Sequence, residues 1–200
     1  MLPDFEVTGI TLDPVVPSVG VTFAASVTVR NRGSSGNAGY LYVYTNRPST
    51  VAANTAGQGS VYVGTLAAGS NRTFRIAGLN AGNEGSRVFR AFVDAGAVTA
   101  ESVETNNQLA LPYVILGKPD LTVLSVVFDP LVPSTGRVFS ASVVVKNIGK
   151  GSASNFHVSV WTNMPAVPGG SAGENGGADV VALGVGQAVT NAFSGLLAGN

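Results

Sequence analysis

The sequence predicts an all-β chain of two tandem β-sandwich modules, the second lacking its last two strands. Three observations carry this prediction. A module of about 115 residues returns once along the chain. Its apolar residues alternate with a period of two, and no segment shows the 3.6-residue apolar period of a helix.

The repeat is read position by position. Pro3-Asp4-Phe5 returns as Pro119-Asp120-Leu121, 116 residues on. At that offset Asp13-Pro14 matches Asp129-Pro130, Phe23 matches Phe139, Asn31 matches Asn147 and Gly33 matches Gly149. One inserted residue then moves the offset to 117: Thr45-Asn46 matches Thr162-Asn163, Leu66 matches Leu183, and Ala81-Gly82-Asn83 matches Ala198-Gly199-Asn200. The joint falls near Gly117 and Lys118, giving modules over 1–117 and 118–200. Residues 84–116 of the first copy have no counterpart in the second. The repeat is too long for a solenoid, whose units run about 20–50 residues.

The elements of the complete module follow in order: strands over 5–12, 22–31, 39–45, 60–65, 71–77, 86–94 and 106–115. The first ends at Asp13-Pro14 and Pro17, since proline cannot donate to a ladder. In the second, Phe23, Ala25, Val27 and Val29 alternate with Ala24, Ser26, Thr28 and Arg30, as Phe139, Ala141, Val143 and Val145 alternate in the other copy. Asn31-Arg32-Gly33 and Asn147-Ile148-Gly149 are turn signals, residues that tolerate positive φ. In the third strand Leu41 and Val43 form the apolar set. Seven short strands with turns between them indicate an immunoglobulin-like sandwich.

Composition removes several classes of function. The 200 residues carry 11 Lys+Arg against 11 Asp+Glu, so the net charge is zero and the basic footprint of nucleic-acid binding is missing. No apolar run approaches the roughly 18 residues of a membrane helix, so no membrane insertion is expected. Met1 is followed closely by Pro3 and Asp4, which is no signal peptide. The absence of cysteine excludes disulfides, thiol catalysis and zinc–thiolate sites. Scarce charge, at 11% of residues, with abundant Ala, Gly, Val, Thr, Ser and Asn, fits a β-rich surface protein.

Each copy opens Pro-Asp-Phe or Pro-Asp-Leu and passes through VRNRGSSGN or VKNIGKGSA. The first continues VGTLAAGSNRTF and ends RVFRAFVDAGAVTAESVETNNQ. This pattern resembles CARDB, the cell-adhesion-related domain found in bacteria, over residues 3–116 and, without that ending, over 119–200. The resemblance implies a seven-stranded immunoglobulin-like sandwich in tandem arrays on secreted or surface proteins.

Candidate sites are few. Asp94, Glu101, Glu104, Asn106 and Asn107 form the sharpest polar cluster, which a hairpin near 94 and 106 brings to one end of the sandwich. Carboxylate and amide oxygens suit calcium, the one cofactor considered. The other reading is structural, with Asp and Asn capping turns, and the lack of EF-hand spacing favours it. Tyr40, Tyr42 and Tyr44 share one strand face and, with Trp161 at the matching position of Tyr44, make a candidate binding surface. Packing of the tyrosine rings on a neighbouring strand or under the loop at 47–60 is the other reading, which the commonness of cross-strand aromatic packing favours. His157 is the only histidine, so the complete module holds no Ser-His-Asp triad. Glu101 and Glu104, three apart, point to opposite faces if on a strand, which disfavours a glycosidase pair. Gly184-Val185-Gly186 lacks the third glycine and helix of a nucleotide loop. The Pro/Gly-rich connections 46–60 and 163–179 are loops; Glu174 and Asp179 in the latter are accessory oxygen ligands or solvated charges.

The leading expectation is therefore no enzyme but a tandem adhesion, protein-interaction and spacer region of a secreted or cell-surface bacterial protein. Its partners would be a protein or a surface glycan. One alternative is a carbohydrate-binding accessory region of a secreted hydrolase, with the tyrosines as platform. Another is a self-assembling filament subunit, its short second module completed by strand addition. A fragment of a longer gene product is the other explanation of the short second module, and the favoured one.

Overall fold

The computed structural model describes residues 1–166, 168–171 and 173–199. Asn200, which ends the repeat, and two positions of the 163–179 loop lie outside the described residues. The chain divides into two units, Met1–Gly117 and Lys118–Asn200. Among the described residues every named element is a strand.

The first unit contains β1 (Phe5–Asp13), β2 (Thr22–Asn31), β3 (Gly36–Asn37), β4 (Tyr40–Tyr44), β5 (Gly59–Tyr62), β6 (Thr65–Leu66), β7 (Asn71–Asn80), β8 (Gly85–Phe92) and β9 (Gln108–Ile115). One sheet has the order β1-β2-β7 and the other β5-β4-β8-β9, with β3 and β6 paired separately. All named pairings are antiparallel. The alternating faces meet between the sheets: Phe5, Phe23, Val27, Val29, Leu41, Val43, Phe89 and Ile115 are buried together. Phe23 packs on Phe89 and Tyr113, with ring centroids 6.4 and 6.0 Å away.

The sequence-derived strands reappear with three physical adjustments. The stretch 60–65 breaks into β5 and β6, because Gly64 turns the chain at φ +71°. The fifth expected strand runs on to Asn80 through a bulge, in which Gly78 at φ +72° accompanies a register shift between Phe23 and Ala25. The strands at 86–94 and 106–115 are shorter, since Asp94 and Ala97, both at φ 49°, turn the backbone out of the ladder.

The turn after β2 is built differently from the expectation. Neither Asn31 nor Gly33 adopts positive φ. Glycine is required there because a Cβ at Gly33 would strike the Leu2–Asp4 backbone, as one at Gly149 would strike Lys118–Asp120.

The second unit contains β10 (Leu121–Asp129), β11 (Val138–Asn147), β12 (Ala153–Val160), β13 (Gly176–Leu183) and β14 (Ala188–Leu197). Its sheets are β10-β11-β14 and β12-β13. Register shifts after Val7 in β1 and after Val123 in β10 fall at matching positions. Gly195 at φ +70° stands in the bulge where Gly78 stands in the first unit. The buried cluster is smaller: Ala141, Val143, Val145, Ala153, Val158, Val180, Leu183, Phe193 and Leu196. Among the described residues no strand stands where β8 and β9 do in the first unit.

Candidate functional site

The polar cluster lies at one end of the first sandwich, in the connection between β8 and β9. Asp94 is buried at the start of this connection. Its Oδ1 accepts the Val98 amide at 3.0 Å and its Oδ2 the Thr99 amide at 3.1 Å, so the side chain shapes its own loop. Glu101, also buried, accepts the Phe5 amide at Oε2 and the Asn107 Nδ2 at Oε1, the latter at 2.6 Å. Glu104 Oε1 accepts the Glu101 amide at 2.9 Å, and Asn106 Nδ2 donates to Asp4 Oδ1 at 2.7 Å. The Ser102 amide donates to the Pro3 carbonyl at 2.9 Å. Together these bonds sew the connection onto the start of β1.

Burial raises the Glu101 carboxyl from 4.5 to about 7. The donors from Phe5 and Asn107 oppose the shift, while Glu104 and Asp94 add to it.

All five sequence-derived residues are thus at one end of the sandwich, but the carboxylates of Asp94 and Glu101 face the protein's own amides rather than an open ligand position. Among the described residues no group of three or more His, Asp or Glu side chains is placed to hold a metal ion. The arrangement fits a loop clamp. Sequence reasoning missed Asp4 and the Phe5 amide as partners, although the repeated Pro-Asp-aromatic/Leu opening marked that position.

The tyrosine stripe divides. Tyr40 is exposed and Tyr42 half-buried, but Tyr44 is buried and does not belong to a binding surface. Tyr44 packs with Val51, Phe92 and Ala95 under the loop after β4, and its hydroxyl donates to the Thr55 carbonyl at 2.6 Å. Burial pushes its phenol pKa up. Tyr62 on β5, unremarked in the sequence, takes its place on the surface. The Tyr40 ring meets that of Tyr62 edge-on at 5.2 Å between centroids and that of Tyr42 at 6.2 Å.

Trp161 follows β12 in the second unit. It lines an apolar cavity of about 270 Å³ with Val123, Phe128, Phe139, Val158 and Leu196. Its buried Nε1 has no hydrogen-bond partner among the described residues. On the same strand His157 meets Asp179 Oδ1 at 2.6 Å and Glu174 Oε2 at 3.1 Å, so these two carboxylates engage a ring rather than solvent alone.

The CARDB family model matches residues 2–111, which include the clamp and every strand of the first unit except the second half of β9. The chain belongs to the CARDB family. Among solved structures, this CARDB chain resembles the crystal structure of the CARDB domain of the PF1109 protein from Pyrococcus furiosus in complex with di-metal ions. The match is at 22% identity, covers 57% of this chain and 90% of that one, and has a TM-score of 0.45. The solution NMR structure of the same domain matches at 19% identity over 57% of this chain and 95% of that one, with a TM-score of 0.43. The class 5 fimbriae chaperone CfaA matches at 13% identity over 98% and 88%, with a TM-score of 0.27. No curated protein matches the chain.

Proposed function

We propose that the chain is a non-catalytic adhesion and protein-interaction region, and a spacer, of a secreted or surface bacterial protein. The observation that carries this reading is the CARDB match over residues 2–111, on a sandwich whose buried carboxylates are occupied by its own backbone. Those amides hold Asp94 and Glu101 against their own loop and the start of β1. The two units are proposed as successive modules of one kind. The test is adhesion: beads carrying residues 1–200 are presented to intact bacterial and host cells. Saturable retention above albumin-coated beads is expected, and retention no better than albumin overturns the reading.

The second reading is a carbohydrate-binding accessory region, favoured by the paired exposed rings of Tyr40 and Tyr62. Aromatic faces of this kind stack on sugar rings. Retention on a panel of insoluble polysaccharides that is lost in the Tyr40→Ala/Tyr62→Ala variant supports it. Equal retention of the variant, or none by the parent chain, counts against it.

A further inference from the structure

Tyr40 on β4 and Tyr62 on β5 are directly opposed across the strand pair and are 49% and 54% exposed. Ser60 is opposed to Tyr42 in the same register, so these four side chains share one face of the sheet. The ring planes of Tyr40 and Tyr62 are inclined by 60°, and those of Tyr40 and Tyr42 by 56°. The rings thus make an angled surface, not a flat platform.

The connection between β8 and β9 ends beside these rings. The Ala95 amide donates to the Tyr40 carbonyl at 3.1 Å, and Val98, 64% exposed, lies over Gly39. Thr99 Oγ1 donates to the Asn37 carbonyl at 2.5 Å. Asn37 Oδ1 in turn accepts the Gly39 amide at 3.1 Å and the Tyr62 hydroxyl at 3.3 Å. The Nδ2 of this exposed side chain takes part in neither bond, which leaves a donor beside the Tyr62 ring.

Backbone strain gathers in the same loops. Asn54, Asp94 and Ala97 hold φ of 63°, 49° and 49°. The Asn54 amide donates to the Ala95 carbonyl at 2.7 Å, which fastens the loop after β4 to the one after β8. Strain of this kind persists where surrounding bonds over-determine it, and it collects at loops that hold ligands.

We infer that this face binds a neutral glycan presented as a single chain. The exposed rings take the C–H face of a pyranose, and Asn37 Nδ2 and the Ser60 hydroxyl bond its hydroxyls. The lining sets the class of sugar. Asp94 turns both oxygens to the Val98 and Thr99 amides. Arg72, which reaches the Val63 carbonyl just past Tyr62, is drawn over the Phe74 ring. The side chains left facing outward are aromatic, amide and hydroxyl, and they offer an acidic sugar no ion pair. The inclined rings set the form of the ligand. A crystalline polysaccharide presents a flat surface and needs coplanar rings, whereas a single chain turns to follow an angled one. The inference rests on the carbohydrate-binding reading and names the ligand of that site.

The probes are cellohexaose, chitohexaose and mannohexaose, added to residues 1–200, with oligogalacturonate as the acidic comparison. Saturable binding of a neutral hexasaccharide is expected, with shifts of the Asn37 side-chain amide and the Tyr40 and Tyr62 ring resonances. The matching polysaccharide is expected to retain the chain at least tenfold better in amorphous than in crystalline form. Asn37→Asp keeps the acceptor that Gly39 and Tyr62 use and replaces the donor. It is expected to keep the tyrosine dichroism of the parent chain and to weaken binding about tenfold. Tyr40→Ala/Tyr62→Ala is expected not to bind. Equal retention on the two solid forms, lost in that double variant, overturns this inference and leaves the carbohydrate reading standing. The same holds if oligogalacturonate is preferred or if Asn37→Asp binds as the parent does. Binding that survives in the double variant, or no binding by the parent chain, overturns both.

Discussion

Asn31 and Asn147 stand 116 residues apart and make the same four hydrogen bonds. Oδ1 of Asn31 accepts the amides of Asp4 and Gly33 at 3.1 and 3.0 Å, and that of Asn147 accepts those of Asp120 and Gly149 at 3.1 and 3.0 Å. Nδ2 donates to Ser34 and Leu66 carbonyls in one unit and to Gly151 and Leu183 carbonyls in the other. Both side chains are fully buried. One amide thus ties the entry of the first strand, the turn after the second, and the short strand or strand end across from it.

Removing either amide strands four backbone groups in a dry site. Asn31→Ala is expected to destabilise the first unit by about 3 kcal/mol, and Asn147→Ala the second by a similar amount. The two can be followed separately. All five tyrosines lie in the first unit and the tryptophan in the second, so tyrosine near-UV dichroism and tryptophan fluorescence report different units. The expected outcome in urea is a lower tyrosine midpoint for Asn31→Ala and a lower tryptophan midpoint for Asn147→Ala.

The repeat made these asparagines visible in the sequence, but as turn residues. Their burial was not legible, because period-two patterning treats Asn as a polar breaker and cannot count hydrogen bonds to residues 27 or 36 positions away. The strands were legible for the opposite reason: Phe23, Val27 and Val29 alternate locally, so the sheet face is written in neighbouring residues. The polar end was half legible. Asp94 through Asn107 stood out as a cluster, yet its closure on Asp4 and Phe5 joins segments about 100 residues apart. The tyrosine face failed at Tyr44 because the outer side of β4 is covered by a loop, which alternation within the strand does not reveal.

Tyr44 and Tyr40 should respond oppositely to mutation. Tyr44→Phe removes the hydroxyl that satisfies the Thr55 carbonyl and is expected to cost about 1 kcal/mol. Tyr40→Ala alters an exposed ring and is expected to change stability by about 0.5 kcal/mol or less. Urea midpoints of the two variants check this ordering, and a larger loss for Tyr40→Ala contradicts it.

His157 forms a pH-dependent latch on the loop before β13. The ring faces Asp179, its cross-strand partner, and Glu174 of the loop. The hydrogen bond that the ring donates to Asp179 is the largest cause that raises the imidazole pKa above its ordinary 6.5, with Glu174 adding to it. The charged ring is therefore favoured by the folded state. The latch is fully closed below pH 6.5 and is lost as pH rises through the raised value. Amide exchange at Glu174 and Asn175, corrected for intrinsic pH dependence, is expected to speed up over that rise. His157→Gln should be fast at both ends and flat between them.

Glu101 gives the first unit a stability that depends on pH in the direction opposite to a salt-bridged carboxylate. Its folded-state pKa is raised from 4.5 to about 7, so between these values the folded chain holds a proton that the unfolded chain has released. The contribution is fully present below 4.5 and is lost as pH rises through about 7. The protonated acid also has a partner at hand. Asn107 Oδ1 is buried without a hydrogen bond, and turning that amide over brings it to face Glu101 Oε1 in place of Nδ2. Glutamine reproduces this neutral arrangement, its carbonyl accepting the Phe5 amide and its amide donating to Asn107. Glu101→Gln is therefore expected to fold with a tyrosine-detected midpoint that no longer falls between pH 4.5 and 7. Glu101→Ala leaves Phe5 and Asn107 without their acceptor and is expected to lose about 3 kcal/mol. Urea titrations of the parent and both variants across this range check the slope and the offset together; a parent midpoint that rises with pH while Glu101→Gln stays flat would show the carboxylate, not the acid, to be the stabilising form.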